Sequence, residues 1–281
     1  MSSQPKQFER LSGWRLFFNT IAARAYPRLI GQQRETSWLL FDVFLPLFSV
    51  AAYVYLYRAM DAPEEYVGFV LIGGAMTAFW LNVLWSMSSQ LFWEKEQGNL
   101  SLYIIAPNSM MAVLLGMAMG GMLATCLRAI VILGLGSWLF QVSYQVVNFG
   151  QLFVVFVLAM VALYGMGMMT SSLFLLFGRE AWHISNLAQE PIYLAAGFYF
   201  PVKSLGFWIA AGASIIPLTL ALDAMRQLSY PGGEEVGFLP VNVEIAILMV
   251  LAVVFVVSAK LLLDKMEKLA VREGRLTEGR R

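Results

Sequence analysis

The chain has 281 residues, of which 59% are hydrophobic and 13% are charged, and its formal net charge is +1. Soluble domains carry about 25% charged residues, so this composition excludes an ordinary soluble protein. The small net charge gives no electrostatic basis for binding nucleic acid, and the single cysteine, Cys126, excludes an intrachain disulfide. Several apolar stretches are long enough to cross a bilayer, so the fold class predicted is an all-α integral membrane protein.

The N-terminal segment predicts a helix that lies flat at the membrane surface. Trp14, Phe17, Phe18 and Ile21 recur at helical spacing and form one apolar stripe. An amphipathic helix of this kind lies in the membrane interface, and a plain soluble helix is the alternative. Pro27 predicts the end of this helix.

Seven apolar stretches follow, and one of them is not expected to span the membrane. Basic residues are concentrated before residue 37 and after residue 259, so the positive-inside rule predicts that both termini lie in the cytoplasm. Two cytoplasmic termini require an even number of crossings. The stretch 204–222 is broken by glycines and a proline, and we interpret it as a re-entrant element on the outer side, between spans five and six. The six predicted transmembrane helices cover 37–57, 66–90, 109–140, 148–177, 181–202 and 240–260.

These segments predict a single domain over residues 1–281. Residues 1–36 form a cytoplasmic segment with the interfacial helix, residues 37–260 the six-span core, and residues 261–281 a cytoplasmic tail. The expected location is the cell membrane (inner or plasma membrane), which the chain crosses several times.

A short polar island interrupts the apolar sequence between spans two and three. Charged side chains cannot remain in hydrocarbon, so this segment is predicted to face water, where an outside partner can push on the membrane domain. Its glutamates are predicted to begin a helix, whose N-terminus favours negative charge, and its glycine to allow a tight bend. A solvated connecting loop is the alternative. The residues of the island are Glu94, Lys95, Glu96, Gln97, Gly98, Asn99 and Leu100.

The sequence contains no candidate catalytic centre. No lysine lies in a phosphate-binding loop of the form G-x-x-x-x-G-K-[ST], so the chain is not expected to hydrolyse ATP by itself. The single histidine, His183, excludes a metal site built from several histidines. We therefore expect neither an enzyme nor a resident cofactor or metal.

Four charged residues fall within apolar stretches, namely Asp42, Arg128, Glu190 and Glu244. Each costs about 2.5 kcal/mol or more at the centre of a bilayer unless it is paired or faces water. They are candidates for a proton relay or a substrate contact, although structural pairing or the lining of a wet cavity is the favoured interpretation. An ion-coupled secondary transporter would use Asp42, Arg128 and Glu190, and an intramembrane lipid-modifying enzyme would use Glu190 or His183.

Three local patterns carry a resemblance to a known family. The first is the island 94–100 followed by Ala106 and Pro107; the second is the Ala-Gly-Phe-Tyr-Phe-Pro segment 196–201; the third is the segment 216–226, which begins Ile-Pro-Leu-Thr. In this order the patterns resemble the membrane subunits of ABC type-2 exporters, a permease class that includes drug, polysaccharide and lipid exporters. Asn99 stands where that family more often has threonine.

The resemblance implies several functional roles. The island would couple the segment 91–107 to separate ABC ATPase subunits, which would hold ATP-Mg. A second permease copy or a paralogue would complete the pathway, and the cargo would be a hydrophobic or amphipathic drug, lipid or glycan. The outer gate and re-entrant element would contain Gly197, Pro201, Pro217, Asp223 and Arg226.

Overall fold

The computed structural model describes residues 13–34, 36–106, 109–177, 179–231 and 233–273. All regular secondary structure within these ranges is helical. Pro107 and the two ends of the predicted cytoplasmic segments, 1–12 and 274–281, lie outside the described residues. The α-helices are α1 (Gly13–Arg34), α2 (Thr36–Ala59), α3 (Glu65–Leu81), α4 (Gln90–Glu96), α5 (Asn99–Ile105), α6 (Met110–Phe140), α7 (Phe149–Phe177), α8 (Arg179–Ala195), α9 (Phe207–Ala213), α10 (Pro217–Ser229) and α11 (Val241–Glu273).

Five stretches of helix are long and apolar enough to cross a membrane by themselves. They are Leu39–Ala59, Glu65–Glu96, Met110–Phe140, Phe149–Phe174 and Val241–Leu269. These stretches correspond to five of the six predicted spans, so the integral membrane fold is confirmed. The second stretch is not one regular helix, because a π-helix, Asn82–Met87, separates α3 from α4.

The chain returns across the bundle through α8, which is shorter than the predicted span 181–202 and is not among the five long apolar stretches. Thr170 of α7 lies beside Ser88, since their hydroxyl oxygens are 2.6 Å apart. After α8, Gly197 lies at the end of the bundle where α3 starts. Arg226 donates hydrogen bonds both to the carbonyl of Gly197 and to the carbonyl of Phe69, near the start of α3. The chain therefore passes from one end of the bundle to the other between Thr170 and Gly197. We call these two ends the island end and the Arg226 end.

The predicted re-entrant element is confirmed as a bent helix pair. The axes of α9 and α10 meet at 113°. Lys203, before α9, donates to the carbonyl of Glu235, after α10, over 2.7 Å. Because the pair begins and ends at the same end of the bundle, it does not cross the membrane.

Helix α3 forms the centre of the bundle. Its side chains are buried almost throughout, and Leu71 and Phe79 are among the largest fully buried residues of the described chain. By contrast, most side chains of α2 and α11 are exposed or only partly buried. The core of a single chain therefore lies between α3, α6, α7 and α10.

Helix α1 packs along α6 through two glycines. A Cβ atom at Gly116 would lie 2.6 Å from the carbonyl oxygen of Ile21, and one at Gly120 would lie 2.5 Å from that of Ala25. Small residues four apart allow this close backbone approach. The prediction that Pro27 ends the helix is wrong, because α1 continues to Arg34. Pro27 lies on the exposed side of α1, where its missing N–H and its ring do not disturb the packing on α6.

Candidate functional site

The island forms a turn between two short helices at the end of the second span. Helix α4 ends at Glu96, and α5 begins at Asn99. Gly98 joins them with φ = 77°, a left-handed conformation that favours glycine, so the bend predicted there is confirmed. The prediction that the glutamates begin a helix is wrong: Glu94 and Glu96 lie in the last turn of α4. Their placement therefore does not depend on the charge preference of a helix N-terminus.

Glu94 is buried and is held by three side chains. Its Oε2 accepts hydrogen bonds from Tyr103 Oη at 2.7 Å and Asn99 Nδ2 at 3.0 Å, and its Oε1 accepts one from Gln90 Nε2 at 3.0 Å. Burial, and then the hydrogen bond to Glu94, raises the pKa of Tyr103 to about 12, so this hydroxyl remains a donor at physiological pH. The carboxyl group of Glu94 thus fixes α5 against α4.

Two arginines of α1 extend this cluster. Arg28 donates hydrogen bonds to Gln90 and to Ser86, which belongs to the π-helix. Burial lowers the pKa of Arg28, and the nearby Glu94 opposes that shift. The guanidinium carbon of Arg24 lies 4.2 Å from the centroid of the Tyr103 ring, which is cation–π geometry.

We call Arg28, Gln90, Glu94, Asn99 and Tyr103 the Glu94 cluster; it connects α1, α4 and α5. Of these residues, only Glu94 and Asn99 were among the predicted site residues. Arg28 could not be assigned from sequence, because it lies 62 positions away from Gln90.

The exposed part of the island is its tip. Glu96, Gln97 and Gly98 are exposed, whereas Leu100 is buried beneath them. Lys95 is half-buried. Three exposed apolar side chains flank the tip in sequence. They are Trp93, which is 48% exposed, Leu102, which is 62% exposed, and Ile105, which is 82% exposed. A polar tip with an apolar flank is a surface suited to contact with another protein.

Arg226 organises the opposite end of the bundle. Its Nη1 donates to the carbonyls of Gly197 at 2.7 Å and Phe200 at 3.0 Å, and its Nη2 to those of Phe198 at 2.7 Å and Phe69 at 3.3 Å. A chain turn without helical hydrogen bonds needs other donors for its carbonyls when it is buried. The Arg226 guanidinium supplies them, and so holds the turn after α8 against the start of α3.

The other predicted residues of this end shape the chain around Arg226. Gly197 has φ = 67°, and a Cβ there would lie 2.9 Å from the carbonyl oxygen of Phe200. Pro201 is buried and extended, and Pro217 lies in the first turn of α10, where its missing N–H costs no helical hydrogen bond. The five predicted residues of the outer element therefore belong to one structural region.

Asp223 makes contacts that differ from those of Arg226. Its Oδ2 accepts hydrogen bonds from Gln227 Nε2 at 2.8 Å and from the backbone N–H of Phe238 at 2.7 Å. Gln227 Nε2 also lies 3.4 Å from Oε2 of Glu244, which is fully buried. Within the described ranges, Asp223 forms no ion pair with Arg226, although the two residues are three positions apart. Asp223 instead fixes the connection between α10 and α11.

The structure separates the intramembrane charges into different environments. Arg128 Nη1 and Asp42 Oδ2 form an ion pair at 2.5 Å between α6 and α2, so the structural pairing favoured for these residues is confirmed. Glu190 lies exposed on α8, as does His183. Glu244 lies beside Gln227 at the Arg226 end. A single proton relay through Asp42, Arg128 and Glu190 is therefore not assembled within the described chain.

A helical bundle with five long apolar helices and a bent helix pair is the architecture of a multi-pass membrane protein. The sequence model of the ABC-2 type transporter family matches residues 20–230, and the chain belongs to that family. The matched region contains both the Glu94 cluster and Arg226.

Two curated proteins share part of this sequence. The chain is 23% identical over 135 residues to the probable multidrug ABC transporter permease YbhR of Escherichia coli K12, and has the same identity to its counterpart in E. coli O157:H7. The match covers 48% of this chain and 36% of each relative. The chain thus matches about a third of the length of these relatives.

Proposed function

We propose that this chain is the membrane subunit of an ATP-driven exporter, coupled to separate ATPase subunits through residues 91–107. The observation that carries the proposal is the exposed tip of the island, Glu96 to Gly98, which stands on the buried Glu94 cluster. Membership of the ABC-2 type transporter family supports it. The relatives are probable multidrug permeases, and this favours a hydrophobic or amphipathic cargo, such as a drug, a lipid or a glycan.

The Glu94 cluster explains how contact at the tip would move the membrane domain. A soft loop would bend when a partner pushed on it. Here Glu94 fixes α5 to α4, and Arg28 of α1 donates hydrogen bonds to Gln90 of α4 and to Ser86 of the π-helix. A push on Glu96 and Gly98 would therefore displace these helices together, as a rigid-body movement.

The proposal assigns the remaining parts of the machinery to partners. ATP-Mg would be bound and hydrolysed by the ATPase subunits. Two permease chains, either identical copies or paralogues, would form the pathway between them, and the α9–α10 pair would close its outer mouth. The island end and both termini would face the cytoplasm of the cell, because basic residues are concentrated there.

Charge reversal at the tip tests the proposal. We expect Glu96→Lys to abolish ATP-dependent export and capture of the ATPase by the tagged chain, without preventing membrane insertion. Glu234→Lys is the matched control, because Glu234 is exposed at the Arg226 end. Export by the Glu96→Lys variant at the wild-type rate would refute the coupling role.

A second measurement separates the alternatives. The purified chain is reconstituted in vesicles without any ATPase, and cargo flux is measured with and without a proton gradient. Flux at full rate under the gradient alone would establish an ion-coupled transporter, and turnover of lipid without ATP would establish an enzyme.

A further inference from the structure

Two buried carboxyl groups face each other where α10 is joined to α11. Asp223 is 2% exposed and Glu244 is 0% exposed, and their side chains lie within hydrogen-bond reach of each other. Two ionised carboxylates in a buried site repel, and neither can donate a hydrogen bond to the other. Buried carboxyl pairs of this kind are stable when they hold one proton between them.

The hydrogen-bond donors of the site are distributed unequally between the two carboxyl groups. Oδ2 of Asp223 accepts hydrogen bonds from Gln227 Nε2 at 2.8 Å and from the backbone N–H of Phe238 at 2.7 Å. The amide group of Gln227 has two hydrogens, and the second one points to the carbonyl of Leu239, which is also 2.8 Å away. Oε2 of Glu244, at 3.4 Å from the same nitrogen, therefore receives little from it, although Leu239 offers Glu244 one backbone hydrogen bond. Asp223 thus has the donors that an ionised carboxylate needs.

The other oxygen of Glu244 has no donor. Among the described residues, Oε1 of Glu244 is buried and makes no hydrogen bond. A buried charged oxygen without a donor is costly, whereas a protonated carboxyl group is itself a donor. This unpartnered oxygen, on a side chain that faces Asp223, indicates that the missing group is a proton on Glu244.

The buried charges around the pair balance only when Glu244 is neutral. Arg226 is 3% exposed and acts electrostatically on Asp223, so one cation and one anion already offset each other. Helices α6 and α7 also pack on α11. The charged side chain of α6, Arg128, is paired with Asp42, and α7 carries no charged residue.

The remaining charged groups of this region do not supply a second cation to the interior. Glu234 and Glu235, between α10 and α11, are exposed. Lys203, which donates to the carbonyl of Glu235, is exposed as well. Tyr164 of α7 is a titratable group, but it donates its hydrogen bond to Asn82. A second negative charge on the pair would therefore remain unbalanced.

We propose that Asp223 and Glu244 form a proton-binding site, in which Glu244 holds one proton at neutral pH and donates it in a hydrogen bond to ionised Asp223. This bond joins α10, in the re-entrant pair, to the start of the last span. Loss of the proton places two negative charges side by side and weakens the joint, so this end of the bundle loosens as the pH rises. The site lies within one chain and needs no ATPase, so it does not depend on the proposed function.

Thermal unfolding of the purified chain at about pH 5 and about pH 8 tests the proposal, with Glu244→Gln as the matched variant. The glutamine amide is neutral and can donate to Asp223 at either pH, as protonated Glu244 does. A glutamate of the unfolded chain loses its proton above about pH 4.3, so folding at higher pH must bind a proton, and stability falls as the pH rises. Between these two pH values, the midpoint of the wild type should fall by roughly 10 °C relative to that of Glu244→Gln. A difference between the two proteins that is the same at both pH values would overturn the proposal.

Infrared spectroscopy detects the proton directly, because a protonated carboxyl group has a carbonyl stretching band that a carboxylate lacks. At about pH 8, where exposed carboxyl groups are ionised, the wild type should show this band and Glu244→Gln should lose it. Glu190→Gln is the control, because it removes an exposed carboxyl group of α8 and should leave the band unchanged. A wild-type protein without the band, or a Glu244→Gln variant that keeps it at full intensity, would overturn the assignment.

Discussion

The two glutamates of the island should respond differently to replacement by alanine: one substitution should lower the stability of the protein, and the other should lower only its ATP-dependent export. Glu94 accepts hydrogen bonds from Gln90, Asn99 and Tyr103, whereas Glu96 is exposed. Glu94→Ala should therefore destabilise the protein. Glu96→Ala should leave its stability unchanged and lower only ATP-dependent export.

The magnitude for Glu94→Ala follows from the groups that lose their partner. Gln90 and Tyr103 are each 8% exposed, so water cannot readily replace the lost acceptor. A buried polar group without a partner costs about 1–3 kcal/mol, which gives about 4 kcal/mol for the two. Asn99 is half-buried and can bond to water, so it adds little. For a chain of this size, 4 kcal/mol lowers the midpoint of thermal unfolding by roughly 10 °C. An exposed substitution such as Glu96→Ala stays within about 0.5 kcal/mol.

Thermal unfolding of the purified protein, followed by the fluorescence of its 8 tryptophans, provides the measurement. Glu94→Gln is the control for shape, because it keeps the volume of the side chain while it removes the charge. We expect its midpoint to fall between those of wild type and Glu94→Ala. Equal midpoints for Glu94→Ala and Glu96→Ala would refute the reasoning, since they would mean that the hydrogen bonds of Glu94 do not stabilise the fold.

Three further substitutions test other parts of the structure by the same unfolding measurement. Arg226→Lys should cost about 3 kcal/mol, because an ammonium group cannot donate to all four carbonyls at once; stability equal to wild type would contradict this. Gly116→Leu should displace α1 and cost about 2 kcal/mol, whereas Gly134→Leu, in open space, should cost almost nothing. Arg128→Met should cost about 3 kcal/mol because it leaves Asp42 unpaired, and adding Asp42→Asn should recover at least about 1 kcal/mol; strictly additive losses would show that the ion pair contributes nothing.

The sequence was sufficient for the features that depend on local composition. Apolar stretches of about 20 residues predicted the five long helices, because backbone groups in hydrocarbon must bond within their own segment. Gly206, Gly212 and Pro217 predicted the break in the re-entrant element. Gly98 predicted the tight bend, since its left-handed conformation is a property of one residue. The fifth span was predicted too long, because its C-terminal part leaves the helix after Ala195.

Features that depend on distant contacts were not predictable in this way. Arg28 was counted only as one of several basic residues that orient the chain, and nothing in its neighbourhood indicates its bonds to Gln90 and Ser86. Arg226 was placed in the outer element by a resemblance, but the carbonyl groups it binds lie as far away as Phe69. The hydrogen bond of Glu94 with Tyr103 was not predicted, because the two residues lie nine positions apart on different helices.

Helix α3 makes the two ends of the molecule mechanically dependent on each other. Near its first turn, the carbonyl of Phe69 accepts a hydrogen bond from Arg226, and beyond its last turn Ser86 accepts one from Arg28. Arg226 is buried and Arg28 is half-buried against this helix and its extension, so neither end can shift relative to α3 without breaking charged hydrogen bonds, each worth about 1.5–3 kcal/mol. The π-helix Asn82–Met87 follows the first anchor point and contains the second, Ser86. The wider turn of a π-helix is the part of the second span that we expect to change shape at the lowest cost. A movement that begins at the island should therefore either deform residues 82–87 or displace α3 and the Arg226 end together.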